Sequence, residues 1–153
     1  ILNDSGSNRL TGEAIQEYIR KNLGIEVKIE LMAFKERLAR MQSNDFDIVF
    51  AGWGADYQDP LTFLDLFVTN GGNNHTGYAN PEYDKVIRIA QTSADKNERF
   101  EALKKAELIL AEDMPIGVLF QVRRNYIVNE KLKNVVFPAV GVDILFNKSY
   151  KVK

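Results

Sequence analysis

A chain of 153 residues, 45% hydrophobic and 27% charged, is long enough for one domain with its own core and too short for two comfortable ones. Its 20 basic and 21 acidic residues leave a formal net charge of -1, which gives no electrostatic reason to expect nucleic acid or an anionic membrane as partner. The lack of cysteine excludes disulfides, thiolate catalysis and cysteine-held zinc or iron–sulfur centres. No uninterrupted apolar stretch approaches the ~20 residues of a membrane span.

The opening residues Ile1 to Gly6 read as the last residues of a strand followed by a loop. The expectation is a domain cut from a longer protein, with a processed terminus as the alternative. From Ser7 to Leu23, the residues Leu10, Ala14, Ile15, Tyr18, Ile19 and Leu23 share one face at helical spacing, and Gly24 stands where a terminating glycine belongs. Ile25, Val27, Ile29 and Leu31 then alternate with charged residues, as in a strand with one wet face. Phe34, Leu38 and Met41 mark a short helix. Residues 46 to 53 are apolar on both faces apart from Asp47, which suits a central strand covered by helices. The alternation of strand and helix predicts an α/β fold with a mixed, mostly parallel sheet flanked by helices.

Pro60 opens a helix over 61–68, with Asp59 placed to cap its free amides. A Gly- and Asn-rich loop at 70–77 ends it. Pro81 starts a helix that turns Tyr83, Val86, Ile87 and Ala90 to one side. A longer helix from Asp95 is expected to bury Phe100, Leu103, Ala106 and Leu110, with Asp95 and Glu98 at capping-box spacing. After Pro115 the pattern becomes β-like at 116–122, 125–129, 135–137 and 143–146. No repeat and no interior linker interrupt the chain, so a single α/β domain over residues 1–153 is expected.

The inventory for catalysis is thin. His75 is the sole histidine and sits among Gly, Asn and Thr, where a solvated turn residue is the plainer reading. Asp56 and Asp59 could be a paired acid and base as in glycosidases, but Asp59 before Pro60 already has a structural task as a cap. A hydrolase using Asp56, Asp59 and His75 is the alternative from that class. No HExxH, EF-hand or phosphate-loop pattern occurs, so no metal or other cofactor is expected. Trp53 and Tyr57 flank Asp56, while Gly52 and Gly54 leave backbone bare on either side of Trp53. An acid, bare amides and flat aromatic walls suit a cationic, extended ligand.

The stretch DFDIVFAGWGADYQDP at 45–60, the words TFLDLF and NGGNN, and GYANPEYDKVI at 77–87 occur in one order along almost the whole chain. In order and wording the sequence resembles the extracytoplasmic oligopeptide- and dipeptide-binding proteins of ABC transporters, solute-binding protein family 5. That resemblance implies one lobe of a type II periplasmic-binding-protein-like fold, here part of the carboxyl-terminal lobe of a two-lobed protein. It implies no enzymatic activity, an oligopeptide ligand, and as partners the opposing amino-terminal lobe and the ABC permease subunits. It implies an extracytoplasmic setting, lipid-anchored in Gram-positive members and periplasmic in Gram-negative ones. It also implies that Asp56 pairs with the peptide's ammonium, that backbone at Gly52 bonds the peptide main chain, and that Trp53 lines the cleft. Gly54, Tyr57, Asn73 and Asn74 complete the expected ligand-binding set. Relatives that take dipeptides, nickel chelates or other small solutes keep those ligands as alternatives.

Overall fold

The structure is a computed structural model that describes residues 1–152. The chain groups into two compact units, Ile1–Trp53 and Gly54–Lys153.

In the first unit, strand β1 (Leu2–Asn3) leads into helix α1 (Gly6–Leu23), then β2 (Leu31–Met32) and α2 (Phe34–Gln42). β1 and β2 are parallel, with Leu2 opposite Leu31 and Asn3 opposite Met32. Two further bonds, from the Ile1 ammonium to Ile48 O at 2.7 Å and from Phe50 N to Ile1 O at 3.0 Å, lay residues 48–50 along the other edge of β1. Donation into 48 and acceptance from 50 by one residue is the pattern of a parallel pairing. The order is therefore β2, β1, then 48–50, the arrangement expected of a strand–helix–strand crossover. Contrary to expectation, residues 46–53 form no regular strand and 48–50 lie at an edge, with Ile48 53% exposed, while of 25–31 only Leu31 enters β2. Apolar residues on both faces do not supply the second neighbour that a central strand needs.

Helix α1 begins at Ser5, whose hydroxyl accepts from Asn8 N, and ends at Gly24 in the left-handed region at φ 67°. It crosses β1 tightly at Gly12: a Cβ there would lie 2.8 Å from Leu2 Cδ1 and 3.7 Å from Ile29 Cδ1. The helix thus turns Gly12, Ile15 and Ile19 inward. Leu10, Tyr18 and Leu23, expected on the same covered face, are about two-thirds exposed. Spacing shows which residues share a face, and Gly12 decides which edge of that face meets the sheet.

Arg37 on α2 is 5% exposed, although it looks like an ordinary surface residue in the sequence. Its Nε donates to Asn3 Oδ1 at 2.7 Å, Nη1 lies 2.9 Å from Met41 Sδ, and the guanidinium sits 5.4 Å from the Phe34 ring centre. Neutral acceptors and an aromatic face replace its lost water. Burial pulls its pKa below the ordinary arginine value.

The second unit is built on a helical hairpin. A short helix α3 (Leu61–Leu64) runs into a single 3-10 turn at Asp65–Phe67; after the loop come α4 (Pro81–Thr92) and α5 (Lys96–Asp113). Asn80 Oδ1 accepts from Glu82 N and Tyr83 N, and Asp95 Oδ1 accepts from Asn97 N and Glu98 N, so both helices carry side-chain caps. The hairpin is antiparallel: Arg99 reaches the Ala90 carbonyl and Lys105 pairs with Glu82. Its core is Leu61, Tyr83, Val86, Ile87, Ala90, Ala102, Leu103 and Ala106. The four residues expected from α4 are all there. On α5, Phe100 is 64% exposed, which corrects the expectation that it packs inward; Ala102 takes the buried place. Small Ala102 and Ala106 let the two helices approach closely, and a phenyl ring at the interface would hold them apart.

Beyond α5, β3 (Leu132–Lys133) and β4 (Tyr150–Lys151) are antiparallel, with an isolated bridge between Val136 and Leu145. Residues 116–122 and 125–129 form no strand, contrary to expectation. Val118 and Val122 are 79% exposed there. Alternating apolar residues show fitness for a sheet, but a strand exists only through a neighbour's ladder of hydrogen bonds.

Candidate functional site

The residues singled out in the sequence fall on either side of the boundary between the units. Gly52 and Trp53 close the first unit, both exposed, with Trp53 at 43%. A side chain built on Gly52 or Gly54 would meet nothing within 4 Å, and neither has a positive φ. Glycine is therefore required there by neither crowding nor backbone strain. What it leaves is uncovered amide.

In the second unit, residues 54–62 form a braced turn. Asp56 N donates to the Thr62 hydroxyl at 3.0 Å, and Thr62 is 2% exposed. Asp59 N donates to Tyr57 O at 3.0 Å and Thr62 N to Asp59 O at 3.2 Å. Asp59 Oδ1 accepts from Leu61 N at 3.0 Å, the amide-capping task expected of it. Its carboxylate also takes both bonds from Arg99 Nη2, at 2.8 and 2.7 Å, while Arg99 Nε donates to Ala90 O at 3.0 Å. The Arg99 bond holds the Asp59 carboxyl below the usual carboxylate range, against an opposing effect of burial. Leu61, in the hairpin core, fixes the far end.

The two acids of this turn differ sharply. Asp59 is fully engaged and ionised, a poor proton donor for hydrolysis. Asp56 is exposed, and among the described residues its carboxylate makes no hydrogen bond or ion pair. Tyr57 is 44% exposed; partial burial and the carboxylates of Asp65, Asp59 and Asp56 push its phenol above the ordinary range.

In the 70–78 loop the two expected asparagines part company. Asn73 is exposed. The Asn74 amide nitrogen donates to Phe67 O, Val68 O and Tyr78 O at 3.3, 3.0 and 2.8 Å, while its oxygen accepts from Thr76 N and Thr76 Oγ1. Asn74 thus spends its amide holding the loop. His75 donates its backbone N–H to Asn73 O, and among the described residues its ring has no hydrogen bond or ion pair to an acid. Tyr78 and Asn80 both donate to Asp113 Oδ2, at 2.6 and 2.7 Å, which pins the entry of α4 to the end of α5. Burial and the Asp113 bond push the Tyr78 phenol up to about 12. Thr62, Arg99 and Asp113 were not foreseen, and the 40-residue separation of Arg99 from Asp59 leaves no local signal.

Two shallow depressions of about 370 and 220 Å³ lie on the hairpin, one lined by Pro81, Asp84, Lys85 and Arg88, the other by charged pairs over Val86, Ile89 and Ala102. Neither includes the 54–62 turn. Among the described residues no group of three His, Asp or Glu side chains could hold a metal, and no helix is long and apolar enough to cross a membrane.

The fold is that of the type II periplasmic-binding-protein-like proteins. The solved structure of Listeria monocytogenes OppA bound to peptide matches 99% of this chain at TM-score 0.84 and 37% identity. The substrate-binding domain of an oligopeptide ABC transporter from Bacillus anthracis matches 99% at TM-score 0.86 and 33% identity. These alignments cover 29% and 30% of those chains.

The model of bacterial extracellular solute-binding proteins, family 5 (middle region), matches residues 1–75. The oligopeptide-binding protein OppA of Bacillus subtilis is 36% identical over 97% of this chain, and the dipeptide-binding protein DppE of the same organism 34% over 84%. The chain belongs to this solute-binding family. It spans about a quarter of the length of these relatives, 27% and 24% respectively.

Proposed function

We propose that this sequence is the ligand-binding part of the substrate-binding component of an ABC peptide importer. It is a carboxyl-terminal lobe whose longer parent protein closes an amino-terminal lobe over an extended oligopeptide and delivers it to permease subunits. Asp56 receives the peptide's ammonium, backbone at Gly52 and Gly54 bonds its main chain, and Trp53, Tyr57 and Asn73 flank it. Asn74 serves the same site by shaping the loop. The work is capture and release without catalysis or cofactor, outside the cytoplasm, with a lipid anchor or a periplasm retaining the protein according to the cell envelope.

The observation that carries this reading is the contrast between the acids. One carboxylate of the turn is consumed by bracing; the other is exposed on that brace and, among the described residues, makes no hydrogen bond or ion pair. An importer that accepts many sequences draws affinity from what all peptides share, the ammonium and the main chain. The similarity to the oligopeptide-binding OppA and the dipeptide-binding DppE of Bacillus subtilis supports the same ligand class.

Calorimetry on the full-length protein with a tetrapeptide, free and N-acetylated, tests the assignment. A charge-assisted hydrogen bond contributes about 1.5–3 kcal/mol, so acetylation and Asp56→Ala should each weaken binding by roughly 10- to 150-fold, and together by little more than either alone. Equal affinity for the acetylated peptide removes Asp56 from this role.

A further inference from the structure

Nothing in the sequence marks Thr62 as more than a residue of a short helix. It is nevertheless among the few buried polar residues of the chain, at 2% exposed, and its hydroxyl oxygen faces backward along the turn to take the Asp56 N–H at 3.0 Å. Its own N–H donates to Asp59 O at 3.2 Å. The Asp59 carboxylate is gripped by Arg99, and Arg99 is tied to the end of α4 through Ala90 O. A continuous set of bonds therefore runs from the hairpin to the backbone of the one acid in the turn whose carboxylate is uncommitted. A turn needing only its own closure could do so with the Asp59 cap and the Pro60 carbonyl, which accepts from Phe63 N and Leu64 N. The Thr62 bond does something else: it fixes the amide, and with it the Cα–Cβ direction, of Asp56.

We propose that Thr62, seated by the Asp59–Arg99 pair, is a positioning residue that aims the Asp56 carboxylate at a cationic group of the ligand. The proposal rests on the reading of Asp56 as the ammonium acceptor. A carboxylate whose backbone is already held loses only its side-chain torsions on meeting its partner, so more of its bond is retained as affinity. Exposed and unaimed, the same carboxylate spends part of that bond on becoming ordered.

The discriminating quantity is the ratio of affinities for a free and an N-acetylated tetrapeptide, measured by calorimetry on the full-length protein. Being a ratio within one sample, it is insensitive to the fraction of protein folded. In Thr62→Val, which keeps the shape and loses the acceptor, the ratio should fall by roughly fivefold, the scale of one neutral hydrogen bond, while affinity for the acetylated peptide stays at the wild-type value. Thr62→Ser should restore the ratio. Arg99→Lys, which keeps the charge but has one nitrogen where Nη2 holds Asp59 and Nε holds the Ala90 carbonyl, gives a second arm with an intermediate ratio.

Hydrogen exchange across residues 54–62 separates this proposal from the one beneath it. If the wild type shows no preference for the free peptide, the Asp56 assignment fails; faster exchange at the Asp56 amide in Thr62→Val would still support the brace. A wild-type ratio in Thr62→Val, or an unchanged exchange rate at Asp56, overturns the proposal.

Discussion

Replacing Gly12 with alanine sets two terms of known size against each other. In a helix interior alanine is favoured over glycine by about 1 kcal/mol. Against this, the new methyl would stand 2.8 Å from Leu2 Cδ1, about an ångström inside ordinary carbon–carbon contact. Leu2 is 4% exposed, and Ile29 Cδ1 stands 3.7 Å from the same new methyl, so the leucine cannot swing freely aside. Overpacking of this kind costs about 1–3 kcal/mol. The net expectation is a chain destabilised by roughly 0–2 kcal/mol. Leu2→Val removes the Cδ atoms and with them the clash, so Gly12→Ala in that background should stabilise by about 1 kcal/mol. The difference between the two backgrounds, about 1–3 kcal/mol, is the coupling to be measured by urea denaturation followed by far-ultraviolet circular dichroism. If Gly12→Ala stabilises both backgrounds equally, α1 does not sit on Leu2 and the crossing described above is wrong.

Tyr83, fully buried, donates its hydroxyl to the Leu64 carbonyl, and Tyr83→Phe should cost about 1–3 kcal/mol by leaving that carbonyl unpaired; a neutral result in urea denaturation would show water reaching it. Phe100→Ser should change stability by about 0.5 kcal/mol or less, whereas Leu103→Ala should cost about 2–5 kcal/mol; the opposite order would put Phe100 back in the core. Bonds from Arg40 and then Lys28 hold the Glu30 carboxyl at about 2, down from 4.5. The unfolded chain binds that proton more readily than the folded one, so the Glu30 contribution is complete above pH 4.5 and is lost as pH falls towards about 2. Glu30→Gln should flatten the acid side of a stability-versus-pH curve in that window, and parallel curves for the two proteins would contradict it. Asp59, lowered by Arg99, has the same sign, and Asp59→Asn should remove its share of the acid slope.

What sequence could reveal followed the range of the interaction responsible. The buried stripe of α4, Tyr83, Val86, Ile87 and Ala90, is spelled out by spacing within one helix, and the Gly24, Asp59 and Asp95 termini by chemistry within a few residues. Phe100 misled because size suggested burial, while the helix contact is made through Ala102 and Ala106. The β-patterned stretches of 116–129 misled because a ladder belongs to two segments and a pattern to one. At the site, that Asp56 lies in a turn ahead of a helix was legible from Gly54 and Pro60, but the strand expected before it does not form. The Arg99 grip on Asp59 was not, since it joins residues whose proximity only the folded hairpin creates. Asn74 was expected among the ligand-binding residues; that its amide faces inward to three carbonyls depends on the loop's path, which the string Gly-Gly-Asn-Asn does not encode.

The inward-facing Asn74 gives the 70–78 loop a practical property. The Asn74 amide and the backbone bonds from Asn74 N to Gly71 O and from His75 N to Asn73 O set the loop's path, so the exposed Asn73 side chain beside the proposed ligand can be replaced without removing any of them. The sequence contains no thiol, so Asn73→Cys would be the sole attachment point for a dye in this chain. Such a conjugate converts the loop into an optical reporter, its emission following local polarity while the Asn74 bonds stay in place.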